Sequence, residues 1–300
     1  MGLDPGIDHM SAKAMLDGVA ESGGNVTSFI SHCGGLVAPE SDDNPWHYKI
    51  SWNPRNVVLA GKAGAVYKWN GAEKRLEYPE LFAEKRFTAI IGQDPLCWYP
   101  NRDSLPYIPI YGLNGISTFI RTTLRYPDFI RGWASVVQAG LTDDKTPVTQ
   151  RNIAEWATPV LSLADGITRP QLEYLGLFSQ DPVPASARTS ADVLQHLLET
   201  RLAMHPGDKD MIVMLHEIGY TDEKGHRGFT TSSLVVHGED HLLTAMAKTV
   251  GLPLGIAAVL ILDGKIALTG LHIPILPEIY TPVMQELERH DIIFVETEEG

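Results

Sequence analysis

The chain has 300 residues, 44% of them hydrophobic, with 37 acidic against 24 basic side chains and a formal charge of -13. That suffices to bury a core and suits one large domain or two smaller ones. The negative balance argues against non-specific nucleic-acid binding and against docking on anionic membranes, although local arginines can reverse the field inside one cleft.

The longest apolar run, 251–262, is shorter than the about 20 residues that span a bilayer. No basic segment leads into an apolar stretch at the N-terminus, as a secretory signal would. Cys33 and Cys97 lack a C-x-x-C, which speaks against a disulfide framework or a zinc site. These features describe a soluble cytoplasmic globular protein with reduced thiols.

The opening "GLDPGIDH" is a dense turn, and residues 9–22 then read as an amphipathic helix, with Asp8 as N-cap and Gly23-Gly24 as the stop. "NVTSFISHCGG" (25–35) reads as a strand ending on a glycine pair that lets a ligand approach the backbone. Residues 36–56, with Pro39, Pro45 and Pro54, form a long ordered loop. Residues 57–79 pass from helix to strand, with a hairpin at Asn70-Gly71. "WYPNRDSLPYIPIYG" (98–112) is a second proline-punctuated loop.

From 115 to about 202 the pattern is mainly helical, including "GISTFIRTTL", with 178–190 as a mobile linker or surface loop. "KDMIVMLHEIGY" and "RGFTTSSLVVHG" form a hairpin, residues 239–264 one long apolar helix kinked at Pro253, and 277–296 a short helix and strand. The expected fold is α/β, a mixed, largely antiparallel sheet with flanking helices.

Several signatures are missing. There is no G-x-G-x-x-G at a strand-to-helix turn, no GxxxxGK[ST] loop, no HExxH and no GxSxG. His237 and His241 are four apart, but Gly238 marks a helix start and separates their geometries, so no metal is expected.

"GLDPGIDH", "CGGLVAPE", "DNPWHYKISWNPRNVVLAG" and "YPNRDSLPYIPIYGL" resemble the glutamate-forming saccharopine dehydrogenases, also called saccharopine reductases. "TTLRYP", "DMIVMLHEIGY" and "TVGLPLGIAAVLILDGKI" continue the resemblance in the same order, nearly across the chain. It implies NADP(H)-dependent interconversion of saccharopine with 2-aminoadipate 6-semialdehyde and glutamate, in lysine metabolism, by a cytoplasmic homodimer. In that family an NADP-binding Rossmann domain precedes "GLDPGIDH". The expectation is therefore that residues 1–300 are the substrate-binding domain, inactive alone, with about 265–300 packing toward the Rossmann domain. The alternatives are a related imine reductase, such as a carboxynorspermidine dehydrogenase, or a non-catalytic binding or assembly module.

The resemblance places Asp4 near the reacting centre, as acid/base or orienting group, where the sequence alone suggests an Asx-turn or a cap. It matches Cys33 to an active-site position, where the sequence alone suggests a small buried residue. Arg102, with Asn101 and Ser104, is the leading carboxylate-binding group, since its planar fork matches a carboxylate; a salt bridge to Asp103 is the competing role. Arg121 and Arg125 offer a second clamp, unless they sit on a solvated helix face. Thr230, Thr231 and Ser232 alternate along a strand and reach toward substrate. Glu40 and Tyr48 shape the pocket mouth. His9 is an acid/base candidate or a satisfied first-turn histidine.

Overall fold

The computed structural model describes residues 1–90 and 92–299. The chain opens on a tight turn, Leu3–Ile7, that runs straight into helix α1 (Asp8–Glu21). Within the turn the Asp4–Pro5 bond is cis and Gly6 has φ +153°, a backbone shape that side-chain-bearing residues rarely adopt. Strand β1 (Asn25–Val37) follows, then α2 (Pro54–Val58) and the hairpin of β2 (Ala65–Trp69) and β3 (Ala72–Leu76). Asn70 and Gly71 both take positive φ there, 49° and 81°, as a tight primed turn requires.

Next come β4 (Arg86–Thr88), β5 (Leu96–Pro100), β6 (Arg102–Asp103), α3 (Tyr107–Ile110) and β7 (Thr118–Arg125). Helices α4 (Pro127–Gln138), α5 (Ile153–Leu161), α6 (Arg169–Tyr174) and α7 (Ser190–Arg201) form a helical lobe. The chain returns through β8 (Asp210–Thr221) and β9 (Arg227–His237), and closes with α8 (Ala245–Leu262), α9 (Pro277–Glu288) and β10 (Val295–Glu299).

The strands form one sheet in the order β10-β9-β8-β1-β7-β2-β3, with β5 also on β7, β4 on β5 and β6 on β2. β1 and β7 run parallel, as do β2 and β6, and the other pairings are antiparallel. This is the mixed, largely antiparallel α/β fold expected.

Two segments differ from expectation. "GISTFIRTTL" holds the central strand β7, not a helix. Its Thr, Phe and Ile residues suit a pleated, buried surface, and Phe119, Ile120 and Leu124 are fully buried. The second proline-rich loop holds the end of β5, then β6 and α3. Residues 178–190 form the surface loop of the two expected alternatives, tied down where the Val183 N–H donates to Arg151 O at 3.1 Å and where bridges join Asn152 to Pro182 and Pro147 to Thr189.

Helix α8 is 18 residues long with mean hydropathy 1.9, long and apolar enough to cross a membrane. The sequence suggested a shorter run because Lys248 interrupts it. Its Ala245, Thr249, Pro253, Ala257 and Leu260 row is buried, and Ala257 and Leu260 share a core with Leu3, Ile7 and Met10. Val250, Leu254, Val259 and Ile261 face outward. The C-terminal segment packs on this chain, with Tyr280 donating to Asp17 Oδ2 at 2.7 Å and β10 joining β9.

A second core lies in the helical lobe, around Trp46, Tyr48, Phe129, Trp133 and Trp156. Two smaller clusters take in residues of β1 and β7, one with Phe29 and Phe119 and the other with Leu36 and Leu124.

Candidate active site

Alternation along a strand decides which residues meet. β1 and β7 pair in register, Ser31 with Arg121 and Cys33 with Thr123. Arg121 and Arg125 therefore share a face with Cys33. On one side of that face lies the Leu3–Ile7 turn with α1, and on the other the helical lobe.

Arg121 is the hub, on a strand and not a helix face. Its Nη2 lies 2.5 Å from Asp4 Oδ1 and 2.8 Å from Asp8 Oδ2. Its guanidinium sits 4.4 Å above the Tyr107 ring. Its backbone N–H donates to Ser104 Oγ at 3.0 Å, and its carbonyl accepts from the Asn101 N–H at 2.8 Å. Burial works to discharge Arg121, but Asp4 and Asp8 together hold its charge more firmly than in a free arginine.

Asp8 does not cap α1. It lies inside the helix, whose N-cap is Ile7. Its second oxygen accepts the Gly6 N–H at 2.7 Å and so closes the opening turn. Burial, reinforced by the neighbouring Asp4 charge, raises the Asp8 carboxyl above the usual range against the pull of Arg121.

His9 Nδ1 lies 2.8 Å from the Tyr111 hydroxyl, and its ring stacks on Tyr107 at 5.5 Å. Burial, aided by the Arg121 charge, lowers its pKa to about 4, so the ring is neutral near pH 7. Burial also pushes the Tyr111 phenol well up, which keeps it a donor.

The Cys33 thiol is held protonated, first by burial and then by Asp4 and Asp8. The glycines after it serve packing: a Cβ on Gly34 would lie 2.7 Å from the Leu124 Cβ, and one on Gly35 2.9 Å from the Met246 methyl. They leave no open approach for a ligand.

Arg125 differs from Arg121. It is 3% exposed, and its guanidinium lies 5.4 Å from the Tyr48 ring and 5.5 Å from that of Phe129. Nη1 donates to Leu124 O at 2.7 Å. Among the described residues no carboxylate pairs with it, and its buried Nε has no acceptor. A buried cation without a counter-charge is expensive, and here it stands on the face that carries Cys33.

Of the other candidates, Arg102 is exposed, holds φ +54°, and makes no ion pair among the described residues. Asp103 instead accepts the Leu105 N–H at 2.9 Å, so their salt bridge does not form. Ser104 is buried and its oxygen is taken by the Arg121 N–H, a strut more than a ligand donor. Tyr48 lies under Arg125, whereas Glu40 is exposed, 3.7 Å from Lys209 Nζ.

Thr230 is not brought to this site. It stands on β9, separated from β7 by β8 and β1, a lateral distance of about 14 Å. Its hydroxyl donates to Thr297 O at 3.0 Å, and the Thr231 hydroxyl pairs with that of Thr297. Ser232 shares the register row of His216, Ser31 and Arg121 at the same remove.

Sequence reasoning missed the Tyr107–Tyr111 platform and the Ser11–His216 pair, at 2.8 Å. His216 could have been found, since the alternation of "MIVMLHEIGY" puts it on the face of Ile212 and Met214. It is fully buried between Phe29 and Phe294.

Residues 2–293 match the family described as Saccharopine dehydrogenase C-terminal domain. The chain belongs to that family. It is 34% identical over 314 residues to Saccharopine dehydrogenase [NADP(+), L-glutamate-forming] of Saccharomyces cerevisiae, covering 96% of this chain and 70% of that protein. It is 35% identical over 323 residues to the mitochondrial Alpha-aminoadipic semialdehyde synthase of Bos taurus, covering 98% of this chain. It spans 34% of the length of that bovine relative. The solved structure of apo saccharopine dehydrogenase (L-Glu forming) from S. cerevisiae superposes with a TM-score of 0.90 at 33% identity, covering 100% of this chain and 73% of that one. The family is one of oxidoreductases of lysine metabolism.

The yeast relative's name carries NADP(+). The described residues of this chain do not fit a dinucleotide. β7 passes to α4 through Tyr126 and Pro127, with no glycine to admit a pyrophosphate. The glycine pair in β1 lies against Leu124 and Met246.

Proposed function

We propose that this chain binds saccharopine and supplies the substrate side of its interconversion with 2-aminoadipate 6-semialdehyde and glutamate. The observation that carries this reading is Arg125, a buried cation with no anionic partner among the described residues, on the sheet face that also bears Cys33. Saccharopine is a tricarboxylate with a secondary amine, so its carboxylates need cations and its amine needs a proton acceptor.

Arg125 takes one carboxylate in bidentate fashion, with the Tyr48 and Phe129 rings flattening its fork. Arg102, exposed and unpaired among the described residues, takes a second at the rim. Asp4, 25% exposed and tethered by one oxygen to Arg121, is the proton-handling group. Cys33 walls the pocket as a neutral thiol. The residues described supply binding, orientation and proton transfer. The hydride step belongs to NADP(H), for which they form no cradle.

Calorimetric titration with saccharopine, glutamate and carboxynorspermidine in parallel tests this reading. Selective binding of saccharopine is expected. Equal or tighter binding of carboxynorspermidine would replace the substrate assignment, and binding of none would overturn the reading.

A further inference from the structure

Two arginines share the site face, but only one is free. Arg121 is closed in by four groups from four places in the chain: Asp4 and Asp8 on its guanidinium, Tyr107 beneath it and Ser104 on its backbone. Asp8 is 2% exposed and carries a double load, with one oxygen on the Gly6 N–H and the other on Arg121. It thereby shapes the Asp4-Pro5-Gly6 backbone and aims the arginine that grips Asp4.

We propose that Arg121 is a positioning residue: held by Asp8 and Tyr107, it fixes the Asp4 carboxylate in one orientation and receives no substrate carboxylate itself. The proposal rests on the reading of Asp4 as the proton-handling group. Asp4 and Asp8 both engage Nη2, so a substrate anion reaching Arg121 would have to compete with two anions already beside that guanidinium, whereas Arg125 offers an uncontested cation on the same strand.

The surroundings suit this task. The Tyr111 hydroxyl donates to His9 Nδ1, because accepting from that ring would leave a buried phenol proton unbonded. His9 is therefore neutral, with its proton on Nε2, and adds no positive charge to compete for Asp4 and Asp8. The charged groups that face Arg121 are thus the two carboxylates, from the opening turn and from α1.

Two measurements on the same variants test the proposal. Three-bond couplings report the χ1 rotamer of Asp4 by NMR on labelled protein, and calorimetry reports saccharopine affinity across pH. In Arg121→Lys the Asp4 couplings should change from a single rotamer to an average, while amide shifts away from the site stay in place. Saccharopine affinity at its optimal pH should stay within about threefold of the parent, because no substrate contact is lost, while its pH profile moves. Asp8→Asn should loosen the Asp4 rotamer in the same way.

An unchanged Asp4 rotamer in Arg121→Lys overturns the proposal. So does an affinity loss of about tenfold or more with an unmoved pH profile, which is the signature of a lost substrate clamp. If the parent binds no saccharopine, the function reading fails, and the rotamer measurement still decides the positioning.

Discussion

The Arg125 guanidinium lies 5.4 Å from the Tyr48 ring with no carboxylate paired to it among the described residues. Stacking on an aromatic face contributes about 0.5–2 kcal/mol, far less than the desolvation of a buried charge. Such a position is costly for folding and useful for binding an anion. Arg125→Met, which keeps the length and removes the charge, should therefore stabilise the chain by an amount on the order of 1 kcal/mol. It should also weaken saccharopine binding by about tenfold to a hundredfold, the weight of a charge-assisted bidentate contact. Thermal denaturation and calorimetry on one preparation check both. A variant that is less stable and binds normally would make Arg125 a structural residue.

This contrast between two arginines was only partly legible in the sequence. The sequence offered Arg102, Arg121 and Arg125 as cations, but it could not say which are already paired. Pairing depends on register, and register became visible only when 118–125 proved to be a strand. The β-branched content of "STFIRTT" signalled that strand, while the helical stretches downstream biased the reading. The resemblance tied the distant motifs of Asp4 and Cys33 to one place, and in the structure the Asp4 charge does act on the Cys33 thiol. Ser104 was misread for the same reason that it stood out: a hydroxyl beside an arginine suggests a ligand, whereas here its oxygen takes a backbone N–H across the sheet. Thr230 lies strands away from Arg121 because alternation fixes a face and says nothing of the distance across strands.

Stability should fall on acidification, through His216 and His9. Burial lowers their pKa values from 6.5 to about 3 and about 4. Between those values the unfolded chain binds protons that the folded chain refuses. Their contribution is therefore present above pH about 6.5 and is lost as pH falls toward 4. Asp8, raised in the folded state by burial and by Asp4, works in reverse: its contribution is full below the ordinary carboxylate value and declines as pH rises above it. A tenfold change in proton affinity is worth about 1.4 kcal/mol, so the two histidines outweigh the one carboxylate. Melting temperatures from pH 4 to 7 should rise with pH in the parent. They should rise less steeply in His216→Phe, which preserves the stack between Phe29 and Phe294, and more steeply in Asp8→Asn. An unaltered slope in His216→Phe would remove His216 from the account.

Asp210 anchors α8 to the sheet. Its two carboxylate oxygens accept the backbone N–H groups of Ala245 at 2.5 Å and Met246 at 3.0 Å, from the start of β8. Cap removal costs about 1–2 kcal/mol, and burial of the orphaned donors places Asp210→Ala at the upper end of that range. Asp210→Asn, which keeps one acceptor, should lose about half as much. Urea denaturation reads both, and equal stability of parent and alanine variant would show that α8 needs no such anchor.

Cys33 should be chemically quiet despite its place in the site. Thiols react as thiolates, and burial, then Asp4 and Asp8, hold this one protonated. Cys33 is half-buried, whereas Cys97 is fully buried and its thiol is also pushed up by burial. Iodoacetamide at pH 7.5 should therefore modify neither at a rate approaching that of a free cysteine, and peptide mapping would show which residue reacts first. Saccharopine that fills the pocket should slow Cys33 further and leave Cys97 unchanged, because Cys97 packs in the helical lobe. In Asp8→Asn, one of the two carboxylates opposing the thiolate is gone, so Cys33 should label faster than in the parent. Rapid labelling of Cys33 in the parent would instead show a thiolate stabilised by Arg121 and Arg125, and would reopen a nucleophilic role for it.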